Sequence, residues 1–206
     1  AVMRSSAADV ATLDAADYAV RQELWTPSFR RAWVSKGPDG VKLEWCHDSA
    51  WRFFSIETDE LLGWRLHWFD AITNKALAMG SRAETRDLVD IVAYADRCPL
   101  HAVIWAASSK DPGFGPLLLL SQMRRHSRVN IAELREMGAA VDASALKLRW
   151  IEIADAAEAE LTRAGTTGVE VGLAFMRPDG SIGWFDDPDV VPHRATLGGA
   201  APRLVE

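Results

Sequence analysis

The side chains able to do covalent or metal chemistry are few and scattered. Five histidines, His47, His67, His101, His126 and His193, and two cysteines, Cys46 and Cys98, are the soft donors and nucleophiles available. No two histidines stand four apart and Cys-x-x-Cys is absent, so the spacing predicts no metal centre, and no cofactor is implied. Cys46, His47 and Asp48 are contiguous. Neighbours on a strand point to opposite faces, however, so a cysteine–histidine dyad would have to draw His67 or His101 from elsewhere. A free, structural thiol is the plainer reading of each cysteine.

The segment 108–115, Ser-Ser-Lys-Asp-Pro-Gly-Phe-Gly, precedes a helical stretch and could offer backbone amides and Lys110 to an anion. It lacks the Gly-Lys-Ser/Thr ending of a phosphate loop and the three glycines of a dinucleotide turn, so an ordinary connection explains it better. The acidic pairs Asp59-Glu60 and Asp186-Asp187, with Asp189, fall in turns, where aspartate serves local hydrogen bonding.

Two basic constellations carry more. If residues 51–57 and 63–70 are strands, alternation places Arg52 and Phe54 on one face with Arg65, His67 and Phe69, opposite a tryptophan-rich face. Aromatics among cations can stack and neutralise a nucleotide or another anion. Arg124, Arg125 and Arg128 form the densest basic run, ahead of a helical segment at 131–137. As a nucleic-acid contact the run lacks a convincing recognition helix behind it, because 142–150 offers only Lys147 and Arg149. Cations closing a helix, favourably placed at its C-terminal dipole, explain the run without nucleic acid.

The elements that must position these groups follow from periodicity. A helix is expected over 6–24, from Val10, Leu13, Ala16 and Val20. Residues 29–35 and 41–46 form a hairpin about Gly37-Pro38-Asp39-Gly40. Strands follow at 51–57, 63–70 and 75–79. A capping box of Ser81 with Glu84 should open a helix bearing Leu88, Ile91, Val92 and Ala95 and ending at Pro99. Beyond it come a buried strand at 102–106, helices at 116–126 and 131–137 (the latter capped by Asn130), a strand at 146–153, and a helix at 155–164 stopped by Gly165. A hairpin of 169–176 with 181–185 turns on Pro178-Asp179-Gly180, and the chain from Asp186 onward should be loose.

These elements predict an α+β fold: an antiparallel sheet of four or five strands packed by helices, with a mixed helical and hairpin second half. The 206 residues suit a single domain, with a possible subdomain boundary near 99–109. The formal charge of −6 speaks against a broadly nucleic-acid-binding surface while permitting a local patch. No apolar run suits a membrane span or follows Arg4 as a secretory signal would, so a cytoplasmic location is expected. Nine tryptophans against two tyrosines demand either a thick aromatic core or a stacking surface. The first functional expectation is therefore a non-catalytic binding, adaptor or regulatory protein acting through an aromatic- and Arg-rich surface, with a protein partner or self-association. The second is a nucleic-acid-associated regulator using Arg124, Arg125 and Arg128. The third is a hydrolase or transferase with its site near His67 and Cys46.

Overall fold

A computed structural model describes residues 2–46, 51–61, 63–137 and 142–196, and the chain divides into two compact units, 1–49 and 50–206. Each contains both helices and antiparallel strands, but the sheets have three, two and three strands where one of four or five was expected.

In the first unit, helix α1 (Val2–Ala15) precedes strands β1 (Ala19–Trp25), β2 (Phe29–Lys36) and β3 (Asp39–Cys46). The helix expected to reach residue 24 ends at Ala15, because Asp17 adopts a positive φ of 61° and reverses the chain into β1. The three strands pair antiparallel in the order β1-β2-β3. Lys36 pairs with Asp39, so the two-residue loop is Gly37-Pro38, one step upstream of the expected Pro-Asp-Gly turn. Gly37 takes φ +64°, which a tight hairpin loop asks of its first central residue and a β-carbon resists. β2 alternates strictly: Arg30, Ala32 and Val34 are buried while the residues between them are not. The buried row meets α1, where the Arg30 guanidinium donates to the Ser6 hydroxyl (2.9 Å) and the Trp45 indole donates to Asp9 (2.7 Å).

The second unit begins with a short hairpin, β4 (Glu57–Asp59) and β5 (Gly63–Arg65), followed by α2 (Trp68–Ser81), α3 (Thr85–Tyr94), α4 (Leu100–Ala107), α5 (Pro116–His126), α6 (Ile131–Glu136) and α7 (Ala143–Gly165). Strands β6 (Leu173–Met176), β7 (Ile182–Gly183) and β8 (Val191–Arg194) close it as an antiparallel sheet in the order β7-β6-β8. The hairpin at 169–185, α5, α6 with its Asn130 cap, and the stop of α7 at Gly165 agree with the sequence reading. β8 pairs with β6, so this part of the tail expected to be loose is held.

Of the expected strands, 51–57 keeps only Glu57 and 63–70 only 63–65, and those at 75–79, 102–106 and 146–153 are helical for physical reasons. Residues 68–81 are helical because Phe69, Ile72, Ala76 and Met79 recur at helical spacing and all face the core. Segment 102–106 lies in α4, where seven of eight residues are buried, and an all-apolar run carries no period to distinguish helix from strand. Segment 146–153 is the first half of α7, whose Leu146, Trp150, Ala154, Ala157 and Leu161 make one continuous inward stripe. The capping box also does not form. The Ser81 hydroxyl turns back to the Leu77 carbonyl (2.8 Å), and Glu84 opens α3 without a side-chain cap. Pro99 opens α4 as its N-cap and does not close α3. Within 99–109, residues 100–107 form the largely buried helix α4.

One buried ion pair sets the arrangement of the second unit. The Asp70 carboxylate accepts hydrogen bonds from the amides of Phe53 and Phe54 (both 3.0 Å) and from the Lys110 ammonium (2.7 Å). Lys110 also donates to Asn74 (3.0 Å), and the side chains of Lys110 and Asp70 are only 2% and 1% exposed. Segment 51–56 therefore gives two of its amides to a carboxylate on α2. The lysine of the 108–115 connection, considered above for anion binding, already holds its anion. Removing one partner of such a pair leaves a buried charge uncompensated. Lys110→Met should accordingly destabilise the protein by about 3–5 kcal/mol, read as a lower urea midpoint. A loss below about 1 kcal/mol would show that the pair does not anchor the unit.

Candidate functional site

The strand pair expected to display Arg52, Phe54, Arg65, His67 and Phe69 on one face is not formed, yet three of these residues do come together. The Phe54 ring lies 4.2 Å from the His67 ring, 6.0 Å from Phe69 and 5.7 Å from His193. Phe69 is fully buried. His67 caps α2: its Nδ1 accepts from the Phe69 amide (3.2 Å), which leaves Nε2 facing Glu57 at 3.9 Å. Burial lowers the His67 pKa, with Glu57 and Asp70 pulling against it. Arg65 stands outside this cluster, paired with Glu57 (3.2 Å) and Asp59 (3.7 Å). The backbone of Arg52 bridges to Thr196. This arrangement is a packed aromatic cluster and a helix cap, without the open face that stacking requires.

The basic run is likewise partly committed. Arg124 binds Asp155 and Glu158 on α7, each at 2.9 Å. Arg125 and Arg128 are exposed and make no ion pair among the described residues. The segment that would have to read a groove, 142–150, is the start of α7 and turns Leu146 and Trp150 into the core. Cys46 is exposed, while His47 and Asp48 lie outside the described residues. Burial pushes the Cys98 thiol up to about 12, which makes it inert. Among the described residues no three His, Cys, Asp or Glu side chains gather as metal ligands. No helix there is long and apolar enough to cross a membrane.

An aromatic surface flanked by cations does exist, on strands where the sequence reading did not look for one. Directly paired residues of a sheet share a face. On β2, Trp33 pairs with Arg21 of β1 on one side and Lys42 of β3 on the other. These three side chains lie on the face opposite α1, and Trp33 remains 37% exposed. The indole lies over Gly40: a β-carbon there would stand 2.6 Å from Cε2 and Nε1. Glycine is therefore what lets the ring settle on the strand. Farther along the face, Arg31 binds Glu44 (2.7 Å), and Arg21 binds Glu23 (3.0 Å) while staying 70% exposed. Lys42 has no ion pair among the described residues. The alternation of Phe29-Arg30-Arg31-Ala32-Trp33-Val34 could have revealed this face, since it puts the aromatic and Arg31 opposite Ala32 and Val34.

The sequence reading also missed two clusters in the second unit. Asp87, fully buried, is held between Lys75 (3.0 Å) and Arg82 (2.9 Å); burial raises its pKa, but these hydrogen bonds outweigh that and keep it low. His101 packs edge-on against Trp184 (4.6 Å), whose indole donates to Glu160 (3.0 Å). No protein-family model, curated protein or solved structure matches this chain, so function is read from geometry alone.

Burial lowers the His101 pKa to about 4, with Glu160 opposing and Arg163 assisting. An unfolded imidazole takes up its proton near pH 6.5, so between about 6.5 and 4 the unfolded chain binds the extra proton and folding is penalised. Stability should be full above pH 6.5 and fall as the pH drops towards 4. His101→Phe should flatten that slope in a series of thermal melts, leaving the smaller contribution of His67. An unchanged slope would exclude His101 as its source.

Proposed function

We propose that this protein is a non-catalytic binding protein, and that the open face of β1-β2-β3 is the surface on which it holds its partner. The observation that carries the reading is Trp33, seated on Gly40 between Arg21 and Lys42 and open to solvent. Tryptophan and arginine are the side chains that most often dominate binding energy at interfaces, because each offers a large surface at low entropic cost. The sheet face opposite the packed helix already presents Trp33 and Arg21 to solvent.

The enzymatic alternative has less support. His67 spends its Nδ1 on a helix cap, Cys98 is held as a thiol, and Asp59, Asp186 and Asp187 are each paired with arginine. The regulator built on Arg124, Arg125 and Arg128 keeps only the last two as uncommitted cations. Native mass spectrometry of the full chain purified gently from its host tests the proposal. A bound species should appear with the wild type and be reduced at least tenfold in Trp33→Ala, while Arg125→Ala retains it. Equal retention by Trp33→Ala, with its melting temperature unchanged, would remove the face from consideration.

A further inference from the structure

Resting on that reading, we propose that the ligand of the Trp33 face is single-stranded nucleic acid, one base stacking on the indole while its neighbouring phosphates meet Arg21 and Lys42. Three features favour this chemistry. The indole lies against Gly40 of β3 with 37% of the residue exposed to solvent, open to a stacking partner. A base gains from one stacked ring alone, about 1–3 kcal/mol, whereas a peptide side chain needs a cavity to be desolvated. Arg21 and Lys42 pair with Trp33 from the strands on either side, one strand spacing of about 4.8 Å from it along the sheet, so a chain crossing the sheet passes a cation on each side of the tryptophan.

Charge supports the same conclusion. The face carries Arg21, Arg31 and Lys42 against Glu23 and Glu44, a local positive excess in a chain of net −6. Both glutamates are already bound, to Arg21 and Arg31, so Lys42 is the cation with no ion pair among the described residues, and Arg21, 70% exposed, meets a phosphate while sharing Glu23. With one or two phosphates neutralised, affinity should be modest and only mildly salt-dependent, unlike that of a protein with a broad basic surface. For single strands each neutralised phosphate contributes a slope of about −0.7 to log K against log salt. An acidic peptide bearing an aromatic residue shares the charge pattern, and it serves as the contrasting probe.

The test uses the full chain, fluorescence anisotropy, and two labelled probes: a decathymidylate and a peptide of alternating glutamate and tyrosine. The decathymidylate should bind saturably with a salt slope between about −0.7 and −1.4. Trp33→Ala should weaken it between about fivefold and a hundredfold, and Trp33→Phe should recover most of the loss. Lys42→Ala should reduce the salt slope by about 0.7, a change that loss of fold alone would not produce. Gly40→Val, which displaces the indole from its seat while leaving every charge in place, should weaken binding with the slope unchanged. Decathymidylate binding that ignores Trp33→Ala and Lys42→Ala overturns the inference. Peptide binding lost in Trp33→Ala, with no binding of the decathymidylate, overturns the ligand class and leaves the binding face standing. Binding of neither probe, in a folded protein, also overturns the ligand class; the wider reading is then decided by the native mass spectrum of Trp33→Ala.

Discussion

The carboxylate of Asp70 is the point on which the second unit depends. It lies on the first turn of α2, beneath a segment with little regular structure, and it neutralises a lysine from the connection after α4. Two amides and an ammonium thus converge on two oxygens with almost no exposure to water. Desolvating such a pair is costly, and its attraction repays the cost only when the remaining hydrogen-bonding capacity is filled. Here Asn74 and the Asp70 backbone carbonyl complete the lysine, and the Phe53 and Phe54 amides complete the carboxylate. A hydrophobic substitute could be as stable, but it would not dictate which loop meets which helix. The pair therefore fixes the path of 51–56, which in turn places Phe54 on His67 and seats Phe53 beside Phe69.

Many carboxylates of the chain are committed to contacts of this kind. Asp87 holds Lys75 and Arg82, Glu133 receives the Thr85 amide at the start of α3, and Arg163 bridges Glu160 and Asp186. Asp187 binds Arg177 and also accepts from the Trp184 amide. Most carboxylates near the core are therefore structural, and the aromatic packing around Trp105, Trp150 and Trp184 accounts for several of the nine tryptophans. Trp33 differs from these three in having solvent on one side and a glycine on the other.

The sequence made some of this legible and concealed the rest. Several turns and caps were readable because they are local: Gly37-Pro38 within one residue, Asn130, Gly165 and the hairpin on Pro178-Asp179-Gly180. The Ser81–Glu84 box was not, because the Ser81 hydroxyl bonds back to Leu77. The aromatic stretch 51–70 misled because phenylalanine and tryptophan favour strands in general. What decided it was Asp70, a single polar residue whose partners lie 16 to 40 positions away. The run 102–106 was ambiguous because burial on every side erases periodicity. An aromatic and basic face was expected on 51–57 with 63–70, which do not pair as such, whereas β2 carries an exposed Trp33 paired with Arg21 and Lys42. The expected pairing of 51–57 with 63–70 drew attention from β2, whose own alternation separates Trp33 from the core.

The face carrying Trp33 is the proposed meeting point of the protein and its ligand, whatever the ligand's chemistry. Site-specific photo-crosslinking tests this most directly. A photoreactive side chain would replace Ser35, two residues from Trp33 on the same face of β2, or Glu136 on α6 as an exposed control, and the full chain would be irradiated in its host. One discrete covalent adduct from position 35, with none from position 136, is the predicted result. No adduct at 35, or the same adducts from both positions, would contradict the assignment of this face.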